Sequence, residues 1–293
     1  MPVEKILFPT KFRELSFDSL ETLLVLKKAG LREVILLHVI SREEVGFVPF
    51  GGYLKKEEEK RRQEATIRFE DWQKTLSENG IDAHIKIVVG EPVYEILKNA
   101  ENERVDLIVV GRKKRIEGGA FVGSYTHKII TRSKVPTLVS KYMVQFQWDD
   151  AMLTKTNDRL FEVPLVTVDW TERTQRLLGF LMSLKGIVRK AFIFYNFTVD
   201  SSKDKTEVAR VKAESSARLE KYCEKLRSSG IEAEAHLGSG GMLDEMIRVS
   251  RERKASMIMI GNTSEERFLK NMLDRSLSYQ VAKLSELPTL LVP

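Results

Sequence analysis

Two stretches in the first half of the chain carry residue types that suit anion binding. Gly111 ends an apolar run, and Gly123-Ser124-Tyr125-Thr126 opens a segment of helical character further along. A glycine lets the backbone approach a ligand closely, and a helix amino terminus presents free N–H groups and the positive end of its dipole. The run Arg112-Lys113-Lys114-Arg115 adds positive charge. This region is therefore either a candidate phosphate site or simply a basic surface loop after a strand.

The second half carries related residues in a different arrangement. Asp169 follows one apolar run, Gly261 ends another, and Arg275-Ser276-Leu277-Ser278 opens a helical segment. An acid at the carboxyl end of a parallel strand points into the crevice where open α/β sheets bind ligands. An Asp just before a helix also satisfies free N–H groups at the helix start. Asp169 could serve either purpose.

Patterns typical of catalysis or metal binding do not emerge elsewhere in the sequence. His38, His84, His127 and His236 are scattered, without Cys or carboxylates at metal-ligand spacing. Ser124 lacks a His and an acid in any recognisable nucleophile arrangement. There is no Walker loop and no complete dinucleotide fingerprint. The residues therefore favour binding over turnover.

The elements that position these residues are short apolar strands alternating with helices. Runs rich in Val, Ile and Leu without strict alternation suit strands buried on both faces of a parallel sheet. The strands predicted in the first half are Lys5–Pro9, Glu33–Ile40, Ala83–Val89, Val105–Gly111 and Val135–Ser140. The helices predicted between them are Ser16–Ala29, Lys55–Asn79, Pro92–Asn102 and Ser124–Ser133. This alternation predicts an α/β fold.

The second half repeats the first with a period near 150 residues, which indicates a duplicated domain. Arg104–Gly111 parallels Lys254–Gly261, and Ser133–Val139 parallels Ser285–Leu291. Gly80 and Gly230 each follow the long helix of their half, where a left-handed residue is expected to end it. Its predicted strands are Val163–Val168, Lys190–Asn196, Ala233–Leu237, Ser256–Gly261 and Thr289–Val292. Its predicted helices are Glu172–Leu184, Lys205–Ser228, Leu243–Glu252 and Leu277–Leu284. We predict domains at residues 1–142 and 162–293, joined by a polar linker at residues 143–161 that shows no clean period.

The composition narrows the class of protein. The chain has 293 residues and a net charge of +6, with 48 basic residues interleaved among 42 acids, a pattern of solvated helix faces that disfavours nucleic-acid binding. No apolar run approaches the roughly 20 residues of a membrane span. Cys223 is the only cysteine, which fits a reducing compartment. We therefore expect a cytoplasmic protein without membrane contact.

With these landmarks in order, the chain resembles the universal stress protein family over nearly its whole length. The resemblance rests on Lys5-Ile6-Leu7-Phe8-Pro9-Thr10, on the strand from Glu33 to Ile40, and on Gly123-Ser124-Tyr125-Thr126 followed by Pro136. It implies two Rossmann-like domains of the adenine nucleotide alpha hydrolase type. Each is expected to be a five-stranded parallel sheet of order 3-2-1-4-5 with helices on both faces. Similar proteins pair through their last strands, so a tandem chain is expected to form that pair internally, and a homodimer is compatible with it.

The resemblance also implies an adenine nucleotide site, and neither half matches the family's pattern completely. That pattern runs Gly, two residues, Gly, nine residues, Gly, then Ser or Thr, with an Asp at the end of the first strand. In the first half Lys114 replaces the second glycine and Lys11 replaces the Asp; in the second half Ser264 and Arg275 replace glycines. The implied nucleotide-binding residues are Pro9, Thr10, Lys11, Val39, Gly111, Arg112, Lys114, Gly123, Ser124 and Thr126 in the first half, and Asp169, Asn196, Gly261, Ser276 and Ser278 in the second.

The expected function is the binding of ATP or AMP by a stress-response or signalling protein with little or no turnover, with Mg²⁺ present only if ATP binds. Lys11, Lys114 and Arg275 also suit a family member that binds no nucleotide and acts as an interaction scaffold. A hydrolase or transferase related to the family is a third hypothesis, which the lack of a visible general base disfavours.

Overall fold

The structure is a computed structural model that describes residues 2–12, 16–46, 54–111, 123–148, 151–197, 204–262 and 277–293. Within these ranges no helix combines the length and the apolar character that crossing a membrane requires.

The first half contains five strands connected by helices. The strands are β1 (Lys5–Pro9), β2 (Glu33–Ser41), β3 (Asp82–Gly90), β4 (Leu107–Gly111) and β5 (Thr137–Ser140). The helices are α1 (Ser16–Glu21), which continues as a 3₁₀ segment (Thr22–Ala29), α2 (Lys55–Glu78), α3 (Pro92–Asn102) and α4 (Ser124–Arg132). All neighbouring strands here pair in parallel in the order β3-β2-β1-β4-β5.

The second half repeats this arrangement after a hairpin. The hairpin is β6 (Met143–Trp148) and β7 (Ala151–Thr156), and the strands that follow are β8 (Pro164–Thr167), β9 (Lys190–Phe197), β10 (Glu232–Ser239), β11 (Met257–Gly261) and β12 (Thr289–Val292). The helices are α5 (Glu172–Ser183), α6 (Lys205–Ser228), α7 (Met242–Glu252) and α8 (Leu277–Leu284). The order β10-β9-β8-β11-β12 confirms the predicted 3-2-1-4-5 arrangement and the α/β class.

The last strands of the two halves pair with each other. β12 runs antiparallel to β5, with Leu290 opposite Leu138, so that ten strands form one sheet. The side chains of successive strand residues point to opposite faces of the sheet, and helices cover both faces. A continuous apolar run therefore buries apolar side chains on both sides of the sheet. Leu138 and Leu290 belong to the core on one face, whereas Val139 and Leu291 belong to the core on the other.

The hairpin differs from the polar linker expected at residues 143–161. β6 and β7 pair antiparallel from Met143 opposite Thr156 to Trp148 opposite Ala151. A two-stranded hairpin is marginal on its own, and its polar positions concealed the period of two in the sequence. The domain boundaries at residues 142 and 162 stay a prediction.

Two glycines end the long helices α2 and α6 as predicted. Gly80 has a φ of 68° and Gly230 a φ of 93°, in the left-handed region that glycine tolerates best. The amides of Ile81 and Ile231 donate to the carbonyls of Leu76 and Leu226 across these turns, which is the pattern of a Schellman ending. Both helices therefore end by the same local chemistry.

Candidate functional site

The candidate site of the first half lies where β1 and β4 end, beside the start of α4. Thr10, directly after β1, is buried and donates its amide to the Leu37 carbonyl at 2.9 Å. Its hydroxyl accepts the Phe12 amide at 2.9 Å, and its carbonyl faces His38 Nδ1 at 2.9 Å. Thr10 is thus held by β2 on one side and by its own turn on the other, which directs Lys11 away from the sheet.

Gly111 and the start of α4 come together as the sequence predicts. Gly123 caps α4 and has no side chain to satisfy the first amides of the helix, and Ser124 is exposed. Thr126 is buried and its hydroxyl donates to the Gly111 carbonyl at 3.1 Å. That bond attaches the first turn of α4 to the end of β4. The Thr126 hydroxyl is therefore used within the fold and joins these two elements.

Lys11 connects the end of β1 to α4. Its ammonium nitrogen lies 5.0 Å from the centre of the Tyr125 ring, a cation–π distance. A lysine at this point places a positive charge beside the positive end of the α4 dipole. The Lys11 ammonium offers only hydrogen-bond donors, so Lys11 itself cannot accept a bond from a ligand hydroxyl.

The surroundings of Lys11 contain two titratable groups from β2 and the turn after it. Burial lowers the pKa of His38 below its ordinary value and outweighs the nearby Thr10 carbonyl, so that the imidazole is neutral near pH 7. Burial would raise the pKa of Glu44, but hydrogen bonding to Ser41 and the charges of Lys11 and Arg61 bring that pKa below its ordinary value. Glu44 is therefore a carboxylate at neutral pH and partly balances Lys11.

An aromatic group that sequence reasoning missed lies beneath this crevice. Phe12 adopts a φ of 53°, and its ring lies 4.8 Å from Phe69, 5.0 Å from His38 and 5.5 Å from Trp72, measured between ring centres. In the second half Trp170 adopts a φ of 61° and stands 4.4 Å from Tyr195. The sequence could have indicated this aromatic group, because Phe12 directly follows Lys11 and Trp170 directly follows Asp169.

The remaining predicted residues of the first half divide into two groups. Pro9 is half-buried within the sheet opposite Leu37. Val39 is buried opposite Val88, so that only its main-chain atoms could meet a ligand. Arg112 and Lys114, with the rest of the basic run at residues 112–115, lie outside the described residues. Ser276 of the second half lies outside them as well.

In the second half, side chains of the protein itself fill the corresponding crevice. The Asp169 carboxylate accepts hydrogen bonds from the Thr171 amide at 3.1 Å, the Thr171 hydroxyl at 2.5 Å and the Thr174 hydroxyl at 3.0 Å. Its other oxygen lies 2.8 Å from Arg173 Nη2. Arg173 also occupies the space in front of Gly261, since a Cβ added there would lie 3.3 Å from the arginine Cβ. Asp169 therefore serves the turn before α5.

These contacts also set the ionisation of Asp169. Burial alone would raise the pKa of this carboxyl group. The hydrogen bonds from Thr171 and Thr174 and the charge of Arg173 outweigh it and bring the pKa below the ordinary value. Asp169 is ionised at neutral pH, and both of its oxygens already have partners.

Of the other two residues predicted in the second half, Asn196 has a structural partner and Ser278 is buried. Asn196 donates from Nδ2 to the Gly240 carbonyl at 3.0 Å, which joins β9 to the turn after β10. Ser278 is buried in the first turn of α8. Among the residues that the structure describes, no group of three or more His, Cys, Asp or Glu side chains could hold a metal ion.

Comparison with known proteins agrees with the duplicated fold. The sequence profile of the universal stress protein family matches residues 2–141 and 187–293. Universal stress protein MJ0577 of Methanocaldococcus jannaschii is 35% identical over 153 residues, which cover 47% of this chain and 94% of that protein. Universal stress protein YxiE of Bacillus subtilis is 29% identical over 146 residues, or 46% of this chain and 97% of that protein.

A solved structure extends the likeness to the whole chain. The crystal structure of a universal stress protein from Archaeoglobus fulgidus covers 99% of this chain and 96% of its own, with a TM-score of 0.71 and 24% identity. The proteins MJ0577 and YxiE are each matched over nearly their whole length by about half of this chain, as expected for a duplication. The chain therefore belongs to the universal stress protein family.

Proposed function

We propose that the first half binds an adenine nucleotide, ATP or AMP, with its phosphates at the start of α4. The observation that carries this proposal is the crevice beside Gly123, where an uncapped helix start and the Lys11 ammonium face the same edge of the sheet. The helix start and the Lys11 ammonium are two sources of positive potential that favour an anion, and Glu44 balances the charge of Lys11 only in part. The role is binding in a stress response or in signalling, with little turnover.

Lys11 would contact phosphate in this arrangement and not a ribose hydroxyl. A lysine offers only donors, and its position over Tyr125 places the ammonium at the first turn of α4. Mg²⁺ would enter only with ATP, held by the phosphates, because the described residues supply no cluster of metal ligands.

The second half would act mainly as the structural partner of the first. Its Asp169–Arg173 pair fills the space that a ligand would need in front of Gly261. The antiparallel pairing of β5 with β12 supports the further proposal that the chain forms internally the pair that similar proteins form between subunits. A homodimer of the whole chain would then use other surfaces.

Isothermal titration with ATP, AMP and cyclic AMP tests the nucleotide proposal. We expect saturable binding of ATP or AMP, and about a tenfold or greater loss of affinity in Lys11→Met, which removes one charge-assisted contact. Asp169→Asn is the matched control and should leave the affinity unchanged. No heat above background at millimolar nucleotide, or equal affinity of Lys11→Met and the wild type, would reject the proposal.

One observation favours the second candidate, a scaffold that binds no nucleotide. Lys11 is itself directed across the crevice onto Tyr125 and could occupy the place of a ligand. Mass spectrometry of protein purified without added ligand separates the two, because a stoichiometric nucleotide in that sample excludes the scaffold hypothesis.

A further inference from the structure

The second half has a charged cavity at the end of the sheet opposite the nucleotide crevice. Its volume is about 560 Å³, within the range of small-molecule pockets. It lies at the amino ends of the strands, because its lining includes Val163 just before β8, Arg189 just before β9 and Ser256 just before β11. The end of β7 and the residues after it, from Leu153 to Arg159, form the other wall. The connecting hairpin therefore builds this cavity.

The lining carries more positive than negative charge. Five cationic side chains (Lys155, Arg159, Arg189, Arg251 and Lys254) stand against three acids (Asp158, Glu162 and Glu286). One cation and one acid neutralise each other, which leaves four cations against two acids: Glu286 is 2% exposed, and its oxygens lie 2.8 Å from Arg251 Nε and 3.3 Å from Arg251 Nη2. The cavity has a positive charge that its own acids do not balance.

Lys155 carries much of that unbalanced charge. It comes from β7 and is half-buried, and within the described part of the chain its ammonium has neither a hydrogen bond nor an ion pair. Burial lowers its pKa, and Arg251 acts in the same direction against the attraction of Glu286. Burying an ammonium group without a partner costs free energy, and a bound anion would offset that cost.

Asn157 adds a second, independent sign of a ligand. It lines the cavity and is 4% exposed, and its Nδ2 donates to the carbonyls of Lys141 and Glu286. These two bonds fix the orientation of the amide, and Oδ1 is buried without a partner among the described residues. A buried acceptor of this kind is normally satisfied, so a ligand at this point should donate a hydrogen bond.

Comparison of the two repeats shows that the cavity is particular to the second half. The alignment of Arg104–Gly111 with Lys254–Gly261 makes Arg251 equivalent to Glu101, and Ser256 equivalent to Asp106. The alignment of Ser133–Val139 with Ser285–Leu291 makes Glu286 equivalent to Lys134. The first half has the exposed pair Lys134–Glu101 at 3.4 Å, and Asp106 accepts the amides of Glu4 and Lys5. In the second half the order of the pair is reversed, with Glu286 buried and Arg251 half-buried, and the net charge of the pair is unchanged. A neutral serine, Ser256, stands where the first half has the Asp106 carboxylate, and this change removes a negative charge from this end of the sheet.

We propose that this cavity binds a small phosphorylated metabolite that carries a free hydroxyl group. Lys155 would contact the phosphate from the hairpin side and Arg251 from the side of α7. Asn157 Oδ1 would accept the hydroxyl, and Leu153 and Val163 would contact the carbon skeleton.

Titration calorimetry with glycerol 3-phosphate, inorganic phosphate and glycerol tests this proposal on the full chain. We expect saturable binding of glycerol 3-phosphate, weaker binding of phosphate and none of glycerol. Lys155→Met keeps the aliphatic stem and should lower the affinity about tenfold or more, because one charge-assisted contact is lost. Lys134→Met, at the corresponding end of the first half, is the matched control and should bind as the wild type does.

Two results would overturn the proposal: no saturable glycerol 3-phosphate binding at millimolar concentration, or equal affinity of Lys155→Met and the wild type. Nucleotide titration of Lys155→Met keeps the two sites apart, since its affinity for ATP or AMP should equal that of the wild type. Lys11→Met should conversely retain glycerol 3-phosphate binding. A loss of glycerol 3-phosphate binding in Lys11→Met would assign that binding to the nucleotide crevice and contradict the proposal.

Discussion

At the level of single residues, the two halves differ most directly after their first strands. Lys11 is directed across its crevice towards α4, whereas Asp169 is held by its own turn through Thr171, Thr174 and Arg173. The sequence left open whether Asp169 meets a ligand or serves the helix start. The neighbouring hydroxyls and Arg173 favour the second role, because both carboxylate oxygens already have partners.

This arrangement predicts a pH-dependent contribution of Asp169 to stability. Asp169→Asn should lower the free energy of unfolding at pH 7 by about 0.5–1 kcal/mol, a modest value because the side chain is partly exposed to solvent. The folded pKa lies below its ordinary value, so the contribution is full above the ordinary carboxyl pKa and is lost as the pH falls through the folded pKa.

Urea unfolding at neutral and acidic pH measures this contribution. The difference between the variant and the wild type should shrink towards acidic pH. Asp82→Asn, an exposed position at the start of β3, should change stability by less than about 0.5 kcal/mol at either pH. A difference for Asp169→Asn that stays constant with pH would contradict the assigned ion pair.

At the level of elements, helix endings and strand runs could be predicted from the sequence. Gly80 and Gly230 predicted the ends of α2 and α6, and both have the expected positive φ. The β6–β7 hairpin was not foreseen, because the segment from residue 143 to 156 is short and polar at many positions. An isolated hairpin is only marginally stable, so this one depends on contacts with the rest of the chain, and Val144 of β6 is buried.

The helix endings allow a test in which the backbone is the only variable. Gly230→Ala should destabilise the protein by about 1 kcal/mol, since alanine resists the left-handed conformation. Gly179→Ala, inside α5, should instead stabilise by up to about 1 kcal/mol. At both glycines an added Cβ meets no atom within 4 Å, so steric clash does not enter. Thermal unfolding of both variants measures the effect, and shifts of the same sign would contradict it.

At the level of the whole molecule, the junction of β5 with β12 joins the two halves into one sheet. Leu138 and Leu290 face each other across it, fully buried, and their core includes residues of both halves. Such a junction should couple the unfolding of the halves. The sequence implied this pairing only through the family resemblance.

Leu290→Ala should therefore weaken both halves, by about 2–5 kcal/mol in total. Hydrogen exchange followed by mass spectrometry should show lower protection in β4 and β5 as well as in β11 and β12. Leu284→Ala, at an exposed position of α8, is the control and should leave protection unchanged. Loss of protection confined to the second half would show that the halves unfold independently.

The sequence by itself determined the α/β class and the duplication, because these follow from local periodicity and from landmarks that recur about 150 residues apart. The strand order was implied only by the family resemblance. Only the tertiary structure decided how the site residues are used. Thr126 donates to the Gly111 carbonyl, Arg173 fills the space before Gly261, and Asn157 donates to the Glu286 carbonyl. Such contacts join residues on different elements, and their partners depend on how helices and the hairpin pack on the sheet. No pattern along the chain encodes that packing locally.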